Sequence, residues 1–327
     1  MIYLTNYILL TGKTKLSIIC SNSSFTACVR NHHHLHYAYT IKNNKETPTC
    51  SVNGTTRTKP ICNTSHPNKL TAKGSYLFTS CEWSSCHAAN GSAIYVSNSD
   101  IELKVKICTF HSCEADIDGG GIYAQPADIV HVEHSFFHKC KSKGTGVNDG
   151  GGGIWLYSIA TEILVTSTDF ASCTVEYDGG GVNIWSSSSQ RGNKNTVQNC
   201  RYVNCYGNNV YKSEGGGACS WSCDYDVGIT NTLFSHCSNY HGGGFKTMVK
   251  TNPIHNLITF CFFTHNSAYE NCGNDACLNP EVSGSPFLYC FTTLLSNSAS
   301  TYSYSDGGYR TKDGWLPLST MNVHVPE

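Results

Sequence analysis

The sequence predicts an all-β fold, a parallel β-helix of about seven coils in which the short strands of successive repeats stack on one another. Three observations lead to this prediction: few charged residues, two motifs that share one period, and alternation of apolar and polar residues within each repeat. Charged residues make up 14% of the 327 residues, against about 25% in an average soluble protein. Long surface helices need more charge than this, so helical folds are disfavoured.

The first motif is an aromatic residue followed three positions later by cysteine, or by asparagine in the last copy. Successive aromatic residues are separated by 27, 27, 33, 32, 32 and 29 residues. A period of this length is typical of a solenoid, because such a repeat buries its apolar face only against its neighbours. The copies are Trp83/Cys86, Phe110/Cys113, Phe137/Cys140, Phe170/Cys173, Tyr202/Cys205, Phe234/Cys237 and Phe263/Asn266.

The second motif is a glycine-rich run that ends in an apolar residue, as in Gly119-Gly-Gly-Ile122. Glycine permits corner conformations that side chains with a Cβ resist. Before each aromatic residue, apolar and polar residues alternate, as in Ile101-Glu-Leu-Lys-Val-Lys-Ile107, which is typical of a strand with one buried face. Two residues before each aromatic residue stands cysteine, serine or threonine, which indicates a crowded inward position. Each repeat is therefore expected to hold two or three short strands joined at corners.

The repeats divide the chain into three predicted regions. Residues 71–295 carry the β-helix repeats. Residues 1–70 are polar and are expected to form an amino-terminal cap or insertion, with one further coil at Phe25-Thr-Ala-Cys28 as an alternative. Residues 296–327 are expected to form a degenerate last coil and a tail that covers the open end of the core.

The paired motifs resemble the F-x-x-N and G-G-A-[ILV] repeats of chlamydial-type polymorphic outer-membrane proteins, which are also found in surface proteins of parasitic protists. The resemblance covers about two thirds of the chain. It implies a right-handed parallel β-helix of the pectin-lyase-like kind and a role in surface adhesion. The chain differs from the family in having cysteine in place of asparagine in six of the seven repeats.

Six cysteines are expected to occupy equivalent corners of successive coils, with neighbouring Cα atoms about 4.8 Å apart. That distance suits a disulfide, and a buried thiol also packs well as a small apolar group. A structural ladder of reduced thiols and a set of inter-coil disulfides are thus both open, with metal or redox chemistry as a further alternative. The predicted ladder comprises Cys86, Cys113, Cys140, Cys173, Cys205 and Cys237.

No metal site or cofactor is predicted. Cys219 with Cys223, and Cys272 with Cys277, lack the paired C-x-x-C spacing of zinc sites. The His32-His-His-Leu-His36 segment is interpreted as a solvated loop.

An acidic series precedes the glycine runs: Asp118, Asp149, Asp178 and Glu214. Aspartate before glycine is common in turns, which accounts for the series without any chemistry. The alternative takes Asp149, Asp178 and Glu214 as the source of an acid and base pair in a glycosidase. Asp149 with Glu214, two coils apart, fits the spacing of inverting enzymes, and Asp149 with Asp178 fits that of retaining enzymes.

Aromatic residues are expected at outward positions after the glycine runs: Tyr123, Trp155, Tyr157, Trp185 and Trp221. Exposed rings in a row suit stacking against a sugar or packing against a protein. The alternative is that the rings pack on one another or lie under a loop.

These features favour a non-enzymatic surface or secreted protein that recognises a host or environmental glycan or protein. Four N-glycosylation sequons, at Asn22, Asn53, Asn63 and Asn90, fit an extracellular or cell-surface location. A net charge of −1 argues against nucleic acid as the partner, and no apolar run predicts a transmembrane segment. The alternatives are a polysaccharide lyase or glycoside hydrolase of pectin-lyase-like fold, and an intracellular structural repeat protein with reduced thiols.

Overall fold

The protein is described here from a computed structural model with two compact units, Met1–Thr47 and Pro48–Glu327. The residues that the structure describes are 68–146, 149–157, 162–185, 194–208, 219–222, 227–248 and 257–268, together with the backbone of short strands elsewhere. In the first unit, Tyr3–Leu4 pairs antiparallel with Tyr7–Ile8, and Phe25–Ala27 pairs antiparallel with Tyr37–Tyr39. The Phe25 segment therefore differs from the parallel pairing seen in the coils.

The second unit is an all-β parallel solenoid, which confirms the predicted fold class and is compatible with the pectin-lyase-like architecture. The described residues contain no helix. Each coil visits four sheets, which we call A, B, C and D in chain order. Each repeat holds four strands, where two or three were expected, because the chain bends sharply on either side of the aromatic residue.

Sheets A and B carry the longer strands. The strands of sheet A are Asn68–Leu70, Ile94–Val96, Ile122–Ala124, Ile154–Tyr157, Val182–Trp185, Cys219–Ser222, Phe245–Met248, Ala276–Leu278, Ala299–Ser305 and Gly308–Trp315, the last pair being antiparallel. The strands of sheet B are Cys50–Val52, Thr55–Arg57, Gly74–Thr79, Ile101–Lys106, Ile129–Glu133, Glu162–Thr166, Lys194–Gln198, Val227–Thr230, Leu257–Thr259 and Phe287–Leu288.

Sheets C and D are narrower. The strands of sheet C are Glu82–Ser84, Thr109–His111, Phe136–His138, Asp169–Ala171, Arg201–Val203, Leu233–Ser235, Phe262–Thr264 and Phe291–Thr292. The seven strands of sheet D are His87–Asn90, Glu114–Asp118, Lys141–Ser142, Thr174–Val175, Tyr206–Gly207, Ser238–Asn239 and Ser267–Ala268.

The core is built from columns of equivalent residues. The aromatic residues of the first motif are buried and stack ring on ring, with centroids 4.3 to 5.2 Å apart from Trp83 through Phe263. A second buried column, on sheet B, pairs in register. Its members are Phe78, Val105, Val132, Val165, Val197, Ile229 and Ile258. Because the residues of each column are alike, the same contacts recur from one coil to the next.

The glycine runs form the corner between sheets D and A. Gly119 and Gly151 have φ of +64° and +66°, a region that favours glycine. A Cβ on Gly152 would lie 2.3 Å from the carbonyl oxygen of Gly180 and 2.4 Å from that of Thr174. The middle glycine is thus required because successive coils approach closely at this corner.

Candidate functional site

Two sharp corners flank each strand of sheet C from Glu82–Ser84 through Phe262–Thr264. At each corner one residue takes a positive φ, between +49° and +56°, and the next residue points inward. Asparagine, serine and histidine fill most of these corner positions, in keeping with their tolerance of this conformation. Ile107 is the β-branched exception, with φ of +56° and 60% of its surface exposed.

The inward residue at the corner between sheets C and D is the predicted cysteine. We call Cys113, Cys140, Cys173, Cys205 and Cys237 the thiol column; all five are buried free thiols. Each Sγ donates to the carbonyl of the aromatic residue one coil earlier, as Cys173 does to Phe137 O at 3.5 Å. Cys86, at the head of the predicted ladder, is disulfide-bonded, as is Cys81. The thiol column itself is therefore a reduced ladder that bonds coil to coil through S–H donors.

Asn266 occupies the same corner in the last of these coils. Its Nδ2 donates to Phe234 O at 3.1 Å, and its Oδ1 accepts from Cys237 N at 2.9 Å. Asparagine thus both donates and accepts a hydrogen bond at this corner, and cysteine forms the donated one. Cysteine in place of this asparagine is the main difference from the F-x-x-N motif that the repeats resemble.

Burial argues against chemistry in the thiol column. All five side chains are 0% exposed, so a substrate or a metal ion from solution does not reach them. The thiols act on one another: burial and neighbouring thiols raise the pKa of Cys173 and Cys237, whereas at Cys140 and Cys205 hydrogen bonds from neighbouring thiols outweigh burial and lower the pKa. The column lies inside the coil and bonds one coil to the next.

The corner between sheets B and C carries a second inward column: Cys81, Cys108, Ser135, Thr168, Cys200, Thr232 and Cys261. Members of this column link successive coils. Cys108 N donates to Ser135 Oγ at 3.1 Å, and Ser135 N donates to Thr168 Oγ1 at 3.4 Å. The position requires a small side chain with a terminal sulfur or oxygen, a stricter condition than crowding alone.

The acidic series lies at the corner between sheets D and A, where its described members take part in loop hydrogen bonds. Asp118 is buried, and its Oδ1 accepts from Gly150 N at 2.8 Å. Asp118 N in turn donates to Asn90 Oδ1 at 3.1 Å in the preceding coil. Asp149 Oδ2 accepts from Gly146 N at 2.7 Å. These contacts fit the turn interpretation.

Asp178 is also buried, and its backbone forms a parallel bridge with Gly150. Glu214 lies outside the described residues, so the structure describes no distance between Asp149 and Glu214.

Burial perturbs two ionisable groups at this corner. It raises the pKa of Asp118 to about 7, and the negative charge of Asp149 adds to the rise. It lowers the pKa of the His241 imidazole to about 3, with a contribution from the nearby Lys246. Asp118 therefore carries a proton at mildly acidic pH, whereas His241 is neutral there.

The predicted aromatic residues of sheet A stack on one another across coils. The Tyr95, Tyr123 and Trp155 rings are within 4° of parallel, with centroids 5.1 and 4.8 Å apart. Tyr157, on the same strand as Trp155 and 6.0 Å from its ring, lies 4.8 Å from Trp185 of the next coil, with these last two rings tilted by 40°. We call these five residues the aromatic row.

Exposure differs along the aromatic row. Tyr123 is 8% exposed and Trp155 3%, so these two rings are largely buried. Tyr95, Tyr157 and Trp185 are partly exposed. The rings expected at outward positions thus pack on one another, as the alternative interpretation held, and only Tyr95, Tyr157 and Trp185 keep part of their surface exposed.

The row also differs from the prediction in its members. Trp221 pairs in register with Ile184, whereas Ser222 pairs with Trp185. The register therefore places Trp221 in a different row from Trp185. Tyr95 was missed by the motif analysis, although it follows Ile94 just as Tyr123 follows Ile122.

Compared with known protein families, curated proteins and solved structures, the chain matches none of them. Within the part of the chain that the structure describes, no helix has the length and apolarity needed to cross a membrane.

Proposed function

We propose that this protein is a non-enzymatic β-helical recognition protein, secreted or displayed at a cell surface, that binds glycan or protein ligands through the outer face of sheet A. The observation that carries the proposal is the aromatic row. The resemblance of the paired repeats to polymorphic outer-membrane proteins supports the finer proposal of a surface adhesin of that type.

The arrangement of the row suits recognition. Parallel strands fix the backbone beneath the rings, so binding would not require these residues to become ordered first. Tyr123 and Trp155 are buried between their neighbours and hold the partly exposed rings in place. Rigid aromatic side chains are enriched where proteins bind other molecules.

The charges near the row favour neutral partners. Lys69 lies over the Tyr95 ring, with Nζ 5.5 Å from the centroid. Burial, with the negative charges of Asp118 and Asp149, raises the pKa of Tyr123, so carboxylates that would repel an anionic ligand also lie near the row. Besides Lys69, the positions in register with Tyr95 and Trp185 on the neighbouring coils are Tyr123, Tyr157 and Ser222, which carry no charge. A neutral glycan or the apolar part of a protein surface fits this composition better than a phosphate-bearing ligand.

The proposal is tested by comparing binding to glycan arrays and to cultured cells. The double variant Tyr157→Ser with Trp185→Ser is expected to lose binding, because it removes the exposed end of the row. The control is Leu77→Ser, which removes a 37% exposed apolar side chain from sheet B. Equal binding by wild type and the double variant, or equal loss in both variants, would contradict the proposal.

A further inference from the structure

The outer face of sheet D carries a compact cluster of three different metal-binding side chains in the first two coils. One donor atom each of His87, Glu114 and Asp116 lies within 4.8 Å of the others. The three side chains are exposed or half-exposed, so an ion from solution reaches them. The cluster is separate from the aromatic row, which lies on sheet A.

A β-bulge creates the cluster. His87 pairs with Glu114 and Ala88 with Ala115, but Asn90 pairs with Asp118, so the second strand holds one extra residue. Asp116 and Ile117 are consequently both exposed, where regular alternation would turn one of them inward. The bulge thereby places the Asp116 carboxylate beside that of Glu114 and next to the His87 imidazole.

The distances match those between ligands of one metal ion. His87 Nε2 lies 3.0 Å from Asp116 Oδ1 and 3.8 Å from Glu114 Oε1. Zinc bonds to nitrogen and oxygen of about 2.0 to 2.2 Å place tetrahedral ligands roughly 3.4 Å apart. The two observed distances lie on either side of that value, and the donor atoms of Glu114 and Asp116 lie within 4.8 Å of each other, so side-chain rotation can bring all three to one ion.

A positively charged side chain already lies beside the cluster. The Lys143 ammonium, from the third coil, forms a close ion pair with Glu114 and lies 4.0 Å from Asp116 Oδ1. The hydrogen bond to Glu114 raises the pKa of Lys143. Lysine has a long flexible side chain, and 42% of the Lys143 side chain is exposed, so it can leave without disturbing the coil.

We propose that His87, Glu114 and Asp116 form a binding site for a divalent transition metal ion of the zinc class, with Lys143 as the internal cation that the metal displaces. Imidazole favours zinc, copper, iron and nickel over calcium or magnesium, and the two carboxylates balance the charge of a divalent ion. Water would fill the remaining position, which faces solvent. Bound metal would link the first two coils of sheet D.

The site is tested by calorimetric titration of the full-length protein with zinc chloride. All variants carry serine at His32, His33, His34 and His36, because that histidine tract would bind zinc independently. In this background we expect one zinc ion per chain, with affinity reduced at least tenfold by His87→Ala and by Glu114→Gln. Lys143→Met is expected to increase the affinity severalfold, because it removes the competing ammonium.

Glu133→Gln is the matched control. Glu133 forms an ion pair with Lys106 on sheet B, 3.2 Å apart, without belonging to the cluster or contacting Lys143 in the described residues. Its replacement is expected to leave zinc binding unchanged. The proposal is overturned if neither the protein with the four histidines replaced nor its Lys143→Met variant binds zinc. It is also overturned if His87→Ala in that protein leaves the affinity for zinc unchanged.

Discussion

The inward corners beside sheet C and the outer face of sheet A obey different rules. At the inward corners the described coils after the first repeat hydrogen bonds between coils, which cysteine, serine, threonine and asparagine all form, whereas Cys81 and Cys86 of the first coil are disulfide-bonded. On sheet A the residues in register change from Lys69 to Tyr95, and from Trp155 to Asn183. The inward residues that repeat in successive coils build the solenoid, and the outward residues that differ between coils give this β-helix its own surface.

The largest expected loss of stability distinguishes an inward residue from its outward neighbour on the same strand. Phe137 is buried in the stack, 4.3 Å from Phe110, whereas Phe136 is half-buried on the outer side of sheet C. Phe137→Ala should lower the free energy of unfolding by about 3 to 5 kcal/mol, because it leaves a cavity. Phe136→Ala should cost less than half as much. Urea unfolding of both variants measures the difference, and equal losses would refute the inside–outside distinction.

The next effect concerns Asp118 at the corner beside sheet A. Its pKa is raised to about 7 in the folded protein, against about 3.9 when unfolded. Between these values the folded state holds a proton that the unfolded state has released, so stability falls as pH rises from about 4 to 7, by at most about 4 kcal/mol.

Asp118→Asn should remove this pH dependence and stabilise the protein at pH 8. The structure provides a precedent, because Asn90 accepts the equivalent hydrogen bond in the preceding coil. Unfolding free energies of wild type and variant at pH 4, 6 and 8 test this. Parallel curves for the two proteins would show that Asp118 does not carry the effect.

A smaller effect tests the shared role of cysteine and asparagine. Cys173→Val keeps an apolar side chain but leaves Phe137 O without its thiol donor, at an expected cost of about 1 to 3 kcal/mol. Cys173→Asn should be tolerated better, because Asn266 fills the same corner. Thermal unfolding ranks the two variants, and a more stable valine variant would show that packing alone matters.

The smallest effect is a stabilisation. Ile107 has a positive φ that a β-branched residue resists, whereas asparagine adopts it readily, as Asn199 and Asn231 do in later coils. Ile107→Asn should therefore stabilise the protein by about 1 kcal/mol. Ile117→Asn, at an exposed position without positive φ, is the control and should give no gain. Equal changes in the two melting temperatures would contradict the strain argument.

These regions also differ in how far sequence alone could predict them. The period predicts the solenoid, the aromatic column and the thiol column, because a constraint that acts in every coil leaves the same residue type in every copy. The split into sheets B, C and D was missed, because serine, histidine and asparagine share most of the positive-φ corners with lysine, isoleucine and phenylalanine, so no single residue type marks them.

The candidate sites were harder to predict. The tight stacking of Tyr123 and Trp155 depends on distances between coils, which alternation does not encode. The cluster around His87 arises from one bulge in a single coil, so no repeat pattern reveals it. Single-coil features of this kind require coordinates.

In the proposed division of roles, the inward residues of the coil stabilise the fold, and the outer face of sheet A binds the ligand. Trp185→Ser tests this division most directly. The measurement is its binding to cultured cells, taken together with its free energy of unfolding. We predict that binding falls at least tenfold while stability changes by less than about 1 kcal/mol, because Trp185 is only partly buried at the end of the row. Undiminished binding would contradict the claim.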